Sequence, residues 1–218
     1  MIAQIGNEMA MVAVVGNGIV PDDAPPLPNL RRRAERMAMA TPLYWTADMV
    51  RQLPDDGRRY ETVDGELFVN PAPRLWHQRV VRRLTRSLED YMKTYPLGEV
   101  LQSPADISWA PDVLVQPDVF VAHIDDARTN DWAQVQRLLL AIEVLSPSSK
   151  RADRRVKRAL YQRVGIPDYW VVDIDARAVE RWTRTATAPE ILRGTVRWHA
   201  AGAAEPLVVD IPPLFAPV

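Results

Sequence analysis

Leu138-Leu139-Leu140-Ala141-Ile142-Glu143-Val144-Leu145 is the most apolar run in the chain, and Ser146-Pro147 closes it. A short run of this kind, bounded by a proline, reads as a strand. The anomaly is the carboxylate inside it. Burying Glu143 there costs several kcal/mol unless a cation or hydrogen-bond donors compensate. Working forward, Ser149–Val164 reads as a helix, closed by Gly165 with Pro167 beyond it. Tyr169-Trp170-Val171-Val172-Asp173-Ile174 follows as a buried strand with Ala178–Trp182 as its neighbour, and Ile191–Trp198 and Leu207–Ile211 finish the chain. Working backward, Val113–Ala122 and Gly98–Ser103 are strand candidates. His77–Tyr91 places Val80, Val81, Leu84, Leu88 and Tyr91 at helical spacing. Arg59–Val63 and Glu66–Val69 flank Asp64-Gly65, a type I′ hairpin signal. Thr46 is placed to cap a short helix that Pro54 stops. Hairpin, helix, three strands, helix and further strands predict an α/β (α+β) fold, a mixed central β-sheet flanked by helices.

Two further polar residues stand where the pattern wants apolar ones. Asp118 follows Gln116-Pro117 and precedes Val119-Phe120-Val121. A proline in a strand marks a bulge or an edge, where a side chain can be re-aimed. Carboxylates on neighbouring strands can hold a divalent cation, because Mg²⁺ prefers oxygen ligands and often takes only one or two from protein. Alternatively, Asp118 and Glu143 lie at strand ends beside arginines. On the second helix Asp153, Lys157 and Tyr161 recur every four residues and share one face. That helix begins just after Glu143, so Lys157 can reach a site built there. The competing reading is an Asp153–Lys157 pair worth ~0.3 kcal/mol.

Composition narrows the classes. The chain has 218 residues, 47% hydrophobic and 25% charged, in the range of an ordinary globular protein. With no cysteine, disulfide frameworks, thiolate zinc sites, iron–sulfur clusters and cysteine nucleophiles are excluded. Its three histidines, His77, His123 and His199, are too scattered for a histidine-rich metal site. No apolar run approaches the ~20 residues of a membrane helix, and Met9–Val15 lacks the basic residues that open a signal peptide. The expectation is a cytoplasmic protein with no membrane association. Residues 1–40, with Pro21-Asp22-Asp23-Ala24-Pro25-Pro26 and Arg31-Arg32-Arg33, show no sustained period and read as a flexible extension ahead of one domain spanning 41–218.

The net charge of -1 hides a segregation. Residues 74–93 carry +4 and residues 150–163 carry +6, leaving -11 for the rest. Such stretches attract polyanions or are simply solvated helix faces.

Taken together, Pro117-Asp118-Val119-Phe120-Val121, Ile142-Glu143-Val144-Leu145-Ser146-Pro147, the Asp153…Lys157…Tyr161 spacing and Gly165-Ile166-Pro167-Asp168-Tyr169-Trp170 resemble the Uma2 family. Tyr60-Glu61-Thr62-Val63-Asp64-Gly65-Glu66-Leu67 and His77-Gln78 fit the same pattern, and the likeness spans about residues 44–185. The resemblance implies a restriction-endonuclease-like core of the PD-(D/E)XK nuclease superfamily: helix, antiparallel three-stranded meander, helix, strand. It implies a metal-dependent endonuclease that hydrolyses DNA phosphodiester bonds. Asp118, Glu143 and the main chain of Val144 would bind Mg²⁺ or Mn²⁺. The superfamily lysine, normally two positions after the glutamate, falls on Leu145, and Lys157 is the matching position from the following helix. Pro111-Asp112 is a competing PD pair. Glu66, and behind it Glu61, are candidates for an extra acid, or else ordinary strand residues. His77 could touch a phosphate or serve the helix start. Arg79, Arg82, Arg83, Arg86, Arg151, Arg154 and Arg155 would bind backbone phosphates without reading sequence. The alternative is a catalytically inactive nucleic-acid- or protein-binding module on the same fold. Trp170, Trp182 and Trp198, if exposed, would form an apolar face for a homodimer.

Overall fold

The turn at Asp64-Gly65 needs two residues at positive φ, and both adopt it, at 51° and 80°. They join β1 (Arg59–Val63) to β2 (Glu66–Asn70) in a regular antiparallel register. In this computed structural model residues 44–147 and 149–217 are described, so the expected extension over residues 1–40 lies outside them. Ahead of the hairpin, Thr46 accepts the Met49 N–H at 3.2 Å and caps α1 (Ala47–Arg51). After it comes α2 (Leu75–Thr94), whose stripe Val80, Val81, Leu84, Leu88, Tyr91 and Met92 is buried.

The chain then runs through β3 (Gly98–Gln102), β4 (Ile107–Ala110), β5 (Val113–Val115) and β6 (Val119–His123), the short α3 (Ile124–Ala127), and β7 (Leu138–Val144). Next is α4, π-helical over Ala152–Lys157 and α-helical over Arg158–Arg163, which ends at Gly165 with φ 87°. The last elements are β8 (Asp168–Asp173), β9 (Ala178–Thr183), β10 (Glu190–Leu192), β11 (Thr195–Trp198), β12 (Leu207–Asp210) and α5 (Ile211–Leu214).

Six strands form the main sheet in the order β10-β9-β8-β7-β6-β3. All its neighbours are antiparallel except β7 and β8, which α4 connects as a parallel pair. Val119 and Val121 of β6 and Leu140 and Ile142 of β7 pack with α2 on one face. Phe120, Ala141, Leu160, Tyr161 and Tyr169 pack on the other. The mixed sheet flanked by helices is therefore present. Two predicted strands are each broken in two. Val113–Ala122 divides at Gln116-Pro117: β5 pairs with the hairpin strand β1, while β6 enters the main sheet. A proline cannot donate to a ladder, so the chain changes sheets there. Ile191–Trp198 divides at Arg193-Gly194, and β11 pairs with β12 alone.

Trp170, Trp182 and Trp198 are at most 8% exposed. They build the core of this chain and offer no face to a second copy, which corrects the expectation of a tryptophan patch. Among the described residues no helix is long and apolar enough to cross a membrane.

Candidate active site

The break at Gln116-Pro117 delivers Asp118 to the edge of β6. In the register that pairs Val119 with Ile142, Asp118 comes opposite Glu143. The two acids thus share one face of adjacent strands, as a period of two requires. The Val144 N–H donates to Asp118 Oδ2 at 2.8 Å and fixes this arrangement through the backbone. α4 supplies the third wall. Lys157 Nζ lies 3.0 Å from Glu143 Oε1, 2.8 Å from Glu61 Oε2 and 3.5 Å from Asp153 Oδ1. Tyr161 donates its hydroxyl to Glu143 Oε1 at 3.0 Å.

The hairpin closes the site from the other side. Glu61 accepts from Asn70 Nδ2 and from the Gln116 backbone N–H, both at 2.7 Å, besides pairing with Lys157. Arg59 Nη1 donates to Asp118 Oδ1 at 2.8 Å. His77 Nε2 sits 3.1 Å from Asp118 Oδ2. A cleft of about 330 Å³ opens onto this cluster and is lined by Arg59, His77, Asp118, Glu143, Asp153 and Lys157, among others.

Four carboxylates, those of Glu61, Asp118, Glu143 and Asp153, therefore face two permanent cations, Arg59 and Lys157. The acids and the lysine are at most 4% exposed. The imbalance divides the acids. Burial alone would raise Asp118, but the His77 hydrogen bond and the Arg59 charge outweigh it and hold its carboxyl down at about 2. Burial pushes Glu143 well above the usual carboxylate range, and Asp153, Asp118 and Glu61 add to the rise although Lys157 opposes it. Burial likewise lifts Asp153 to about 6, against the pull of Lys157 and Ser149. Burial would lower Lys157, but the Glu143, Glu61 and Asp153 carboxylates hold its ammonium well above the usual lysine range.

This charge surplus is the structural argument for a divalent cation. Asp153 Oδ1 is also buried without a hydrogen-bond partner. The donors are carboxylate oxygens, the chemistry Mg²⁺ and Mn²⁺ prefer. Among the described residues no three acidic or histidine side chains converge closely enough to hold an ion unaided. An ion here would complete its shell with water and a substrate phosphate, as Mg²⁺ commonly does. On those terms the residues fit it.

Of the candidates read from sequence, Asp118, Glu143, Val144, Lys157 and His77 all line the cleft. Glu66 does not: it is exposed, at the opposite end of β2 from Asn70, and Glu61 occupies the place expected for it. The two acids share one face of the hairpin, since Glu61 pairs with Phe68 and Val63 with Glu66, but Glu66 lies beside the turn, one step farther from Lys157. The rule that singled out Glu143, a carboxylate inside an apolar strand, does not reach Glu61, whose strand Arg59–Val63 is largely polar. Asp112 of the competing pair is hydrogen-bonded to the Tyr44 hydroxyl, outside the cleft. Arg59, absent from the sequence candidates, gives no signal in its local pattern.

The arginines separate into two groups. Arg82, Arg86, Arg151 and Arg155 are exposed, and Arg79 stacks on Trp76 at 5.2 Å. Arg83 is committed to the Leu214 and Ala216 carbonyls, and Arg154 to Asp173 and Glu180, so neither has a free guanidinium for phosphate.

A family model described as "Uma2: Putative restriction endonuclease" matches residues 47–204. Among solved structures, a "putative nuclease belonging to DUF820" from Anabaena variabilis is similar, with a TM-score of 0.66 at 18% identity. The match covers 78% of this chain and 97% of that one. No curated protein matches the chain.

Proposed function

Because the chain belongs to the Uma2 family, we propose that it is a metal-dependent endonuclease that hydrolyses DNA phosphodiester bonds at the Asp118–Glu143–Lys157 cleft. The observation that carries this reading is the buried surplus of carboxylates over cations at the mouth of a cleft. A stable fold has little use for such a surplus, since burying unpaired charge costs several kcal/mol, whereas a divalent cation compensates it.

Asp118, Glu143 and the Val144 carbonyl are the groups that would hold Mg²⁺ or Mn²⁺. When bound, such an ion polarises a phosphoryl oxygen and lowers the pKa of the attacking water. The protein does the rest. Arg59, His77 and the Val144 N–H clamp Asp118 so that it stays ionised and aimed. Lys157 is held protonated by three carboxylates, so it serves as a hydrogen-bond donor and positive charge rather than as a base. Its role is to orient the attacking water and to stabilise charge on the transferring phosphoryl group, an effect worth a few kcal/mol. Tyr161 anchors Glu143 from the far side. Arg79, Arg82, Arg151 and Arg155 position the backbone phosphates of the strand.

Purified protein is incubated with supercoiled plasmid and Mn²⁺ or Mg²⁺, beside Asp118→Ala and Glu143→Ala. The proposal expects nicking by the wild type that EDTA and both variants abolish. Retention of DNA in a gel shift with no cleavage under any condition would instead favour the inactive binding module.

A further inference from the structure

The wall formed by Arg59, His77 and Asp118 has two sides. Beside it lies a second groove of about 730 Å³, which shares those three residues and Pro73 with the cleft. Its volume falls in the range of about 300–1,000 Å³ typical of small-molecule sites. Five buried side-chain polar atoms among the described residues lack a hydrogen-bond partner, and three belong to residues lining this groove: Arg59 Nε, His77 Nδ1 and Gln116 Oε1. Gln116 lines this groove and not the cleft. His77 is more than nine-tenths buried. Buried polar groups are normally satisfied, so a cluster of unpaired ones beside a cavity marks groups awaiting a ligand.

The chemistry of the walls says which part of a ligand. Each arginine here already has a carboxylate: Arg51 pairs with Asp106, Arg58 with Asp56, and Arg59 with Asp118. The groove is therefore close to neutral and is a poor cradle for phosphate. Val50, Leu53 and Leu114 give it apolar surface, Tyr60 adds an aromatic ring, and Gln78, Gln102 and Gln116 add amides. Apolar and aromatic surface with amide hydrogen-bonding groups suits a nucleobase.

We propose that this groove binds the nucleoside next to the scissile phosphate, with the Gln116 side-chain amide contacting the base edge, so that the protein prefers particular bases at that position. The proposal rests on the nuclease reading and deepens it. Phosphates are held by the exposed arginines without regard to sequence; the groove supplies discrimination at one site.

The test is fluorescence anisotropy in EDTA with single-stranded 12-mers of dA, dC, dG and dT and an abasic 12-mer, using wild type and Gln116→Leu. Plasmid nicking by the wild type is run in parallel. Wild type is expected to spread the four bases by about tenfold, consistent with the discrimination a good amide–base contact provides, and to bind the abasic strand most weakly. Gln116→Leu is expected to compress the spread to about twofold while the salt dependence, set by phosphate contacts, stays the same. The abasic strand needs no altered protein, so the proposal remains exposed even if the variant folds poorly. Equal binding of all four bases and the abasic strand, with plasmid still nicked, overturns the groove and leaves the nuclease. An unchanged spread in a folded Gln116→Leu variant also overturns it. Absence of both binding and nicking overturns the two together.

Discussion

Replacing Lys157 with methionine removes the one cation that three buried carboxylates share, at 2.8, 3.0 and 3.5 Å. At an effective dielectric near 20, each contact is worth about 5 kcal/mol of gross attraction. The ammonium's own desolvation offsets much of that, and breaking a buried pair typically costs about 3–5 kcal/mol net. For a domain of this size such a loss lowers Tm by roughly 6–20 °C. The loss also depends on pH, with a definite sign. The Asp153 carboxyl rises from 3.8 unfolded to about 6 folded, so the folded state binds its proton more tightly. That contribution is fully present below the unfolded value and fades as pH climbs through about 6, by about 3 kcal/mol in all. Without Lys157 to pull them down, Asp153 and Glu143 titrate higher still and the fading extends to higher pH. Melting curves by circular dichroism in EDTA should therefore show a gap between Lys157→Met and wild type that is wide at pH 7.5 and clearly narrower at pH 5. A gap under 2 °C at pH 7.5, or one of equal width at both pH values, would refute the charge account of the site.

Other outcomes follow from the same geometry. Asp118→Asn should weaken Mn²⁺ binding at least tenfold by calorimetry. It should also lose about 2 kcal/mol of stability at neutral pH, because the carboxyl held at about 2 stabilises the fold above its unfolded pKa and ceases to do so as pH falls through 2. Glu61→Gln should reduce plasmid nicking at least tenfold, whereas Glu66→Gln, at an exposed position, should leave it within twofold; the reverse ranking would restore Glu66 to the site. Arg151→Ala and Arg155→Ala should each flatten the salt dependence of DNA binding by about one unit. Arg154→Ala should instead lower Tm with little change in that slope, since its guanidinium is bound to Asp173 and Glu180.

Much of this fold is written in short-range pattern. The Asp64-Gly65 turn, the Thr46 cap, the stripe on α2 and the Gly165 stop are local chemistry, and each forms where its residues predict. What escaped is what neighbours decide. Pro117 marks an irregularity inside Val113–Ala122, but that the two halves join different sheets is decided by pairing with β1 on one side and β3 on the other. The π-helical opening of α4 leaves no periodic mark, yet it matters for the site. A step of four residues falls short of a π turn and overshoots an α turn, so the drifts at Asp153–Lys157 and Lys157–Tyr161 oppose each other. The opposed drifts bring Asp153 and Tyr161 back toward one line, with Lys157 between them in contact with both Asp153 and Glu143. The spacing was legible; the helix that makes it work was not. Glu61 was underrated because it shares a face of the hairpin with Glu66, and only the tertiary contact with Lys157 tells the two apart.

The junction at Lys157 also has a temporal meaning. Its partners come from the hairpin, from the central strand and from α4, so no local fragment contains them all. Contacts between distant segments form late, because the entropy of closing the intervening chain must be met first. During synthesis Glu61, Asp118 and Glu143 emerge before Lys157, and the parallel docking of β8 on β7 waits until α4 has crossed over. A ribosome-bound or proteolytically shortened chain that ends before α4 thus carries the acids without their cation. On the proposed function, hydrolytic capacity would be acquired only as folding completes, with no separate inhibitor needed to spare nucleic acid from an unfinished chain.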